Sequence, residues 1–168
     1  MVGITGKVYV GATTVTAPTT ATSTLAVGFT ELGYVSSDGV QFSIDRKTAD
    51  IRAWQNSDLV RSMVTEGTVT YQFTLLETSL ATLQAYFGSS LTSGKVTLSP
   101  TSTGGKQSFV IDVVDGTKNI RHYVPAGEIL TVEAQKIQNG EAVAYGLTVT
   151  AYVTNGRAAD IWYSEFAS

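Results

Sequence analysis

The stretch Gly67–Gly88, GTVTYQFTLLETSLATLQAYFG, holds two periodicities in succession. Val69, Tyr71, Phe73 and Leu75 alternate with Thr68, Thr70, Gln72 and Thr74. That is the period of a strand with one buried and one wet face, and its β-branched and aromatic residues suit a half-buried pleated surface. The period then lengthens: Leu76, Leu80, Leu83 and Phe87 fall at helical spacing, and Gly88 follows as a C′ residue. Thr78 or Ser79 offers a hydroxyl that can accept from an orphan N–H at the helix start. A long strand therefore runs into a helix of about three turns or fewer, laid with its apolar stripe on the buried face of a sheet. The expected core is Val69, Tyr71, Phe73, Leu75, Leu80, Leu83 and Phe87.

Working outward, Val40, Phe42 and Ile44 alternate with Gln41, Ser43 and Asp45, a second strand. The chain then becomes charged through Asp45, Arg46, Lys47, Asp50, Arg52, Asp58 and Arg61, and residues 45–62 read as a long inter-strand loop with Trp54 in its middle. A Trp in such a setting belongs either to a satellite core or to a contact with a partner. Before these strands, Lys7 to Val10 suits a short strand. Residues 11–24, nearly all Thr, Ala and Ser with Pro18, carry no apolar stripe and read as an extended arm or loop. Leu25, Val27 and Phe29 alternate and bring the chain into the sheet.

Downstream, Phe109, Ile111 and Val113 alternate, Asp115-Gly116 marks a turn, and a strand follows over Asn119 to Val124. Pro125-Ala126-Gly127 is expected to break it, with a further strand from Glu128 to Gln138. Asn139-Gly140 is the strongest hairpin signal, and the apolar set Val143, Tyr145, Leu147, Val149, Ala151 and Val153 alternates after it. The sum is mainly β: a β-sandwich or partly open barrel with one short α-helix packed on one side. The 168 residues form one domain, 1–168.

Charged residues are 15% of the chain, well below the usual quarter, which points to surface covered by other subunits rather than solvated. The net charge of −3 disfavours a nucleic-acid binder, which shows a basic footprint. With no cysteine, disulfides and thiolate metal sites are excluded. No signal peptide and no membrane span are visible. The single histidine, His122, reads as structural on its strand. The Gly94-Lys95 pair lacks the remaining phosphate-loop residues, there is no nucleophile elbow, and the acids Asp38, Asp45, Asp50 and Asp58 do not match a calcium loop. No catalytic residue, metal site or cofactor is expected. Trp54 and Trp162 could each serve as a sugar-stacking platform, or as core or interface anchors.

Several of these pieces occur together in a known arrangement. Gly33-Tyr34-Val35, Ser37-Asp38-Gly39-Val40, Asp45-Arg46, Ala53-Trp54-Gln55-Asn56, Tyr71 to Thr78, Ile120 to Pro125 and the turn around Asn139-Gly140-Glu141 resemble the major tail tube proteins of long, non-contractile-tailed bacteriophages, especially those infecting actinobacteria. The resemblance covers about Gly28 to Val153, and the order of the pieces is more specific than any one of them. It implies a structural virion protein that forms stacked sixfold rings, with inner sheets merging around a lumen through which DNA is ejected without specific binding. It implies contacts with itself, with a tape measure protein, a tail terminator and baseplate or distal tail proteins, and location in the phage tail after assembly in the host cytoplasm. It places the loop 45–62 between rings, and a Trp in so charged a stretch makes Trp54 the expected anchor there, with Asp45, Arg46, Arg52, Asp58 and Arg61 as its charged surround. The wet residues Thr68, Thr70, Gln72, Thr74, Thr148 and Thr150 would face the lumen; no Lys or Arg lies between Thr68 and Leu76 or between Val143 and Val153. The alternative is a β-sandwich that binds carbohydrate or a bacterial surface.

Overall fold

The computed structural model describes residue 3 and residues 5–167. The long alternating stretch forms the strand Leu59–Leu75 (β4), paired antiparallel with Val35–Arg52 (β3) on one side and Tyr145–Ala151 (β9) on the other. The other main strands are Thr5–Ala12 (β1), Gln107–Asp115 (β7) and Lys118–Val132 (β8), with short strands Thr30–Glu31 (β2) and Asp160–Tyr163 (β10). All belong to one antiparallel sheet in the order β2-β1-β7-β8-β9-β4-β3, with β10 on β8. A separate small hairpin joins Leu91–Thr92 (β5) to Lys95–Val96 (β6). The sheet is open, with β3 as a free edge, and curls over its apolar face. Tyr71, Phe73, Leu75, Leu147 and Val149 from one half meet Val8, Phe109, Ile111 and Val124 from the other, all nearly or wholly buried.

Pro125 does not end its strand. β8 runs continuously from Lys118 to Val132; it pairs with β7 as far as Val124 and again at Gly127, opposite Gln107, and with β9 from Gly127 onward. The irregularity in the β7 register falls between these segments, where a residue without an N–H is tolerated. Gly127 is needed at this corner for close approach: a Cβ there would lie 2.8 Å from Val149 Cγ1 and 3.0 Å from the Phe109 ring. Beyond Val132 the chain is irregular, so the strand expected to reach Gln138 stops six residues early.

The helix Leu80–Phe87 (α1) sits over the open side. Ser79 is its N-cap, accepting from Thr82 N, and Gly88 closes it in the left-handed conformation with φ 62°. Its buried stripe differs from the expected one. Leu80 is 55% exposed and Leu76 also faces solvent, Leu83 and Phe87 are half-buried, and Thr82 and Ala85 are the residues turned fully inward. The cause is polar: Thr82 Oγ1 donates to the Leu32 carbonyl at 2.7 Å in the buried interior, and this bond sets the helix rotation. Of the remaining expected core residues, Tyr71, Phe73 and Leu75 are buried and Val69 is half-buried.

Residues 13–29 do not hang free as an arm. Pro18 and Ala21 are buried, and the carbonyls of Thr20 and Ser23 accept from Arg121 Nη1 at 3.1 and 2.6 Å. A guanidinium of the chain's own sheet supplies the donors that this stretch lacks. Leu25, Val27 and Phe29 form no strand, and Val27 is fully exposed.

Candidate assembly surfaces

Two surfaces gather the residues singled out by the sequence. The first is the face of the sheet opposite the core. Register places Ser43 beside Thr70, Thr70 beside Thr150 and Thr150 beside Glu128. One step along, Gln41, Gln72, Thr148 and Thr131 form a second row. Each row crosses four strands, β3, β4, β9 and β8, and neither holds a Lys or Arg. Thr74 faces Gly146, and Thr68 faces Asp45 at the edge. Thr68 and Gln72 are exposed, while Thr70, Thr74, Thr148 and Thr150 are half-buried.

Carboxylates that the sequence reading did not assign complete this face. Glu128 accepts from Thr103 Oγ1 and, at 2.7 Å, from the Tyr152 hydroxyl. These two bonds hold its carboxyl below the ordinary carboxylate range, so it stays charged. Glu133 accepts from Gln72 Nε2 at 2.5 Å and folds over Gly146, where a Cβ would meet its side chain within 2.7 Å. The signal that could have found Glu133 is Gly146 itself, a glycine inside an otherwise regular alternation. Lys106 approaches from the rim, its Nζ 5.0 Å from the Tyr152 ring centre.

The second surface is the expected loop 45–62, and it is not a loop. β3 continues to Arg52 and β4 begins at Leu59, so Ala53–Asp58 alone turn the chain. β9 leaves β4 at Val69; beyond that point the two strands project as a ribbon without a third. The pairing skips Thr65 and Val60 on β4, two bulges that add twist. The tip is closed locally: Ala53 N donates to the Asp58 carbonyl at 2.8 Å, Arg52 Nη1 donates to the Ser57 carbonyl at 3.2 Å, and Asn56 and Ser57 take left-handed φ of 64° and 55°. Trp54 stands on this tip, 97% exposed, and Ile51, Leu59, Val60, Met63 and Val64 are also exposed along the ribbon.

The six residues expected between rings therefore separate. Arg52, Trp54, Asp58 and Arg61 cluster at the tip, whereas Asp45 and Arg46 lie at the ribbon's base, about 20 Å back along β3. Among the described residues no aromatic ring packs on Trp54 or Trp162, so neither forms a two-ring sugar platform. Nor does any group of three or more His, Asp or Glu among them lie close enough together to hold a metal ion.

His122 is half-buried where the sheet curls. Its Nδ1 lies 3.1 Å from the Tyr71 hydroxyl, and its ring meets those of Phe42 and Tyr71 edge-on at 5.4 and 5.6 Å. Burial disfavours the imidazolium and lowers its pKa, and the same burial raises that of Tyr71. Neutral His122 joins the two halves of the sheet.

The family model described as "Phage tail tube protein" matches residues 1–167. Among curated proteins none matches in sequence. Two solved structures share the fold. The PVC sheath–tube complex of an extracellular contractile injection system in its extended state is similar over 93% of this chain and 86% of its own, with 11% identity and a TM-score of 0.52. The sheath/tube terminator of the same kind of system is similar over 96% and 95%, with 12% identity and a TM-score of 0.50.

Proposed function

The chain belongs to the phage tail tube protein family, and from that premise we propose that its subunits close into sixfold rings and that the rings stack into the tube. The observation that carries this reading is the pair of polar rows crossing four strands and ending at a free β3 edge. An open strand edge is a liability in a soluble monomer; under rotational symmetry each edge pairs with its neighbour until the ring closes. The Thr and Gln rows then line a continuous inner wall. Each phosphate neutralised by Lys or Arg adds salt-dependent affinity, so a wall of hydroxyls, amides and the fixed charge of Glu128 lets DNA pass without holding it.

In this assembly the ribbon of β3 and β4 reaches to the next ring, with Trp54 as its apolar anchor and Arg52, Asp58 and Arg61 around it. Charged rim pairs set orientation more than affinity. The tube's other contacts are with a tape measure protein inside and with terminator and distal tail proteins at its ends, and assembly takes place in the host cytoplasm.

The native chain has no cysteine, so the facing of the rows can be tested with one introduced at Thr150. Assembled Thr150→Cys tubes, exposed to a gold-tagged maleimide small enough to enter the lumen, should carry label along the tube axis and none on the outer wall. Label on the outer wall would reverse the assignment of inner and outer faces.

A further inference from the structure

The ribbon tip needs a surface to receive it, and one lies at the other end of the strand that carries it. A groove of about 810 Å³ opens between the start of β3 and the strands β1 and β7. Val35, Val40, Ile111 and Val113 give it an apolar floor, and Tyr34, 77% exposed, stands at its side. Missing side chains keep it open. Gly6 and Gly33 line it, and at Gly33, with φ 92°, a Cβ would collide with the Glu77 carboxylate at 2.5 Å.

Among the described residues, four acids line this groove, Glu31, Asp38, Glu77 and Asp112, against one cation, Lys7. Lys7 pairs with Glu31 at 3.0 Å, and Asp112 is taken by Arg121. Among the described residues no ion pair joins Asp38 or Glu77 to a cation. The tip is the counterpart. On the strands that flank the exposed Trp54 lie Arg61, which has no ion pair among the described residues, and Arg52, whose contact with Asp50 is a loose 3.7 Å, with Asp58 in the turn between them.

β3 connects the two surfaces. Val35 and Val40 wall the groove and Arg52 abuts the tip, so about 40 Å of strand between Val40 and Arg52 separates them. A chain cannot place its own tip in its own groove across that length. Two unlike, complementary surfaces at opposite ends of one strand are the head-to-tail arrangement that propagates without closing. We propose that the groove at the start of β3 is the socket for the ribbon tip of a second copy of this chain in the adjacent ring. Trp54 rests there on the valine floor beside Tyr34, with Arg61 and Arg52 reaching Asp38 and Glu77. The proposal rests on the assembly reading above, and it adds the receiving surface, which that reading leaves open.

Two measurements test it. Gln55→Cys with Ser37→Cys introduces one thiol on the tip and one on the groove rim of a cysteine-free chain. Tubes of this variant, oxidised and then run under denaturing conditions without reductant, should give a ladder of covalent oligomers, collapsing to monomer with reductant. Monomer alone from intact oxidised tubes would overturn the socket while leaving ribbon-mediated stacking in place. Intact tubes from Trp54→Ala would overturn both. Should the thiol pair impair assembly, a charge swap decides. Asp38→Lys should shorten tubes at least tenfold, and adding Arg61→Glu should restore their length. Failure of the second change to restore it would count against the socket.

Discussion

Arg121 and Asp112 stand opposite one another on β8 and β7 and meet through two parallel hydrogen bonds, Nε to Oδ1 at 2.6 Å and Nη2 to Oδ2 at 2.8 Å. Arg121 is 6% exposed, and its remaining nitrogen holds the carbonyls of Thr20 and Ser23. One buried cation thus ties the sheet to the loop 13–29. Replacing Arg121 by alanine leaves Asp112 and two carbonyls without their partner. The expected loss is about 3–5 kcal/mol, read as the midpoint of denaturant unfolding. Hydrogen exchange across residues 13–29 should speed up more than exchange in β4. Unchanged protection of that loop would show that it is held by something other than Arg121.

Thr82 sets the rotation of α1 through its bond to the Leu32 carbonyl. Thr82→Val keeps the shape and removes the donor. An unsatisfied buried carbonyl costs about 1–3 kcal/mol, so the melting temperature should fall by several degrees. Thr82→Ser keeps the donor and should lose less. Equal losses for the two variants would place the effect in packing rather than in the hydrogen bond.

His122 makes the fold acid-sensitive. Burial lowers its folded pKa below the ordinary value, so the unfolded chain binds the proton more readily. Stability from this residue is full above the unfolded value of about 6.5 and falls as the pH drops through the window below it. His122→Gln should be less stable at neutral pH and should show a flatter pH dependence between about 7 and 5. An equally steep acid loss in the variant would assign the sensitivity to carboxylates.

Trp54 is 97% exposed, so the monomer gains almost nothing from it. Trp54→Ala should change monomer stability by no more than about 0.5 kcal/mol. A desolvated aromatic anchor commonly accounts for about 2–4 kcal/mol, and its loss at every subunit of a ring should prevent rings from stacking. Circular dichroism melting beside electron microscopy of the same sample separates the two effects. A monomer melting several degrees lower would place Trp54 in an intramolecular cluster instead.

The half of β4 from Val69 to Leu75 was legible because one face packs and the other does not, which writes period two into the sequence. The half from Leu59 to Thr68 was not legible, because both faces of the ribbon are exposed and no burial selects an alternating pattern. Its charges made it resemble a loop, although its Val and Thr content suits strands. Leu80 misled for a related reason: spacing reports an apolar stripe but not its rotation, and a single bond from Thr82 outweighed it. Glu128 and Arg121 act through partners distant in sequence, Thr103 and Tyr152 for one and Asp112, Thr20 and Ser23 for the other, which no local pattern encodes. The polar rows could be read strand by strand, but their continuity across four strands required the register.

Self-assembly is the claim on which the rest depends, and negative-stain electron microscopy of the purified protein over a concentration series tests it most directly. The account predicts rings at moderate concentration and stacked tubes of a single width at high concentration. Fields without rings at every concentration, from protein that sedimentation shows to be folded monomer throughout, would contradict it.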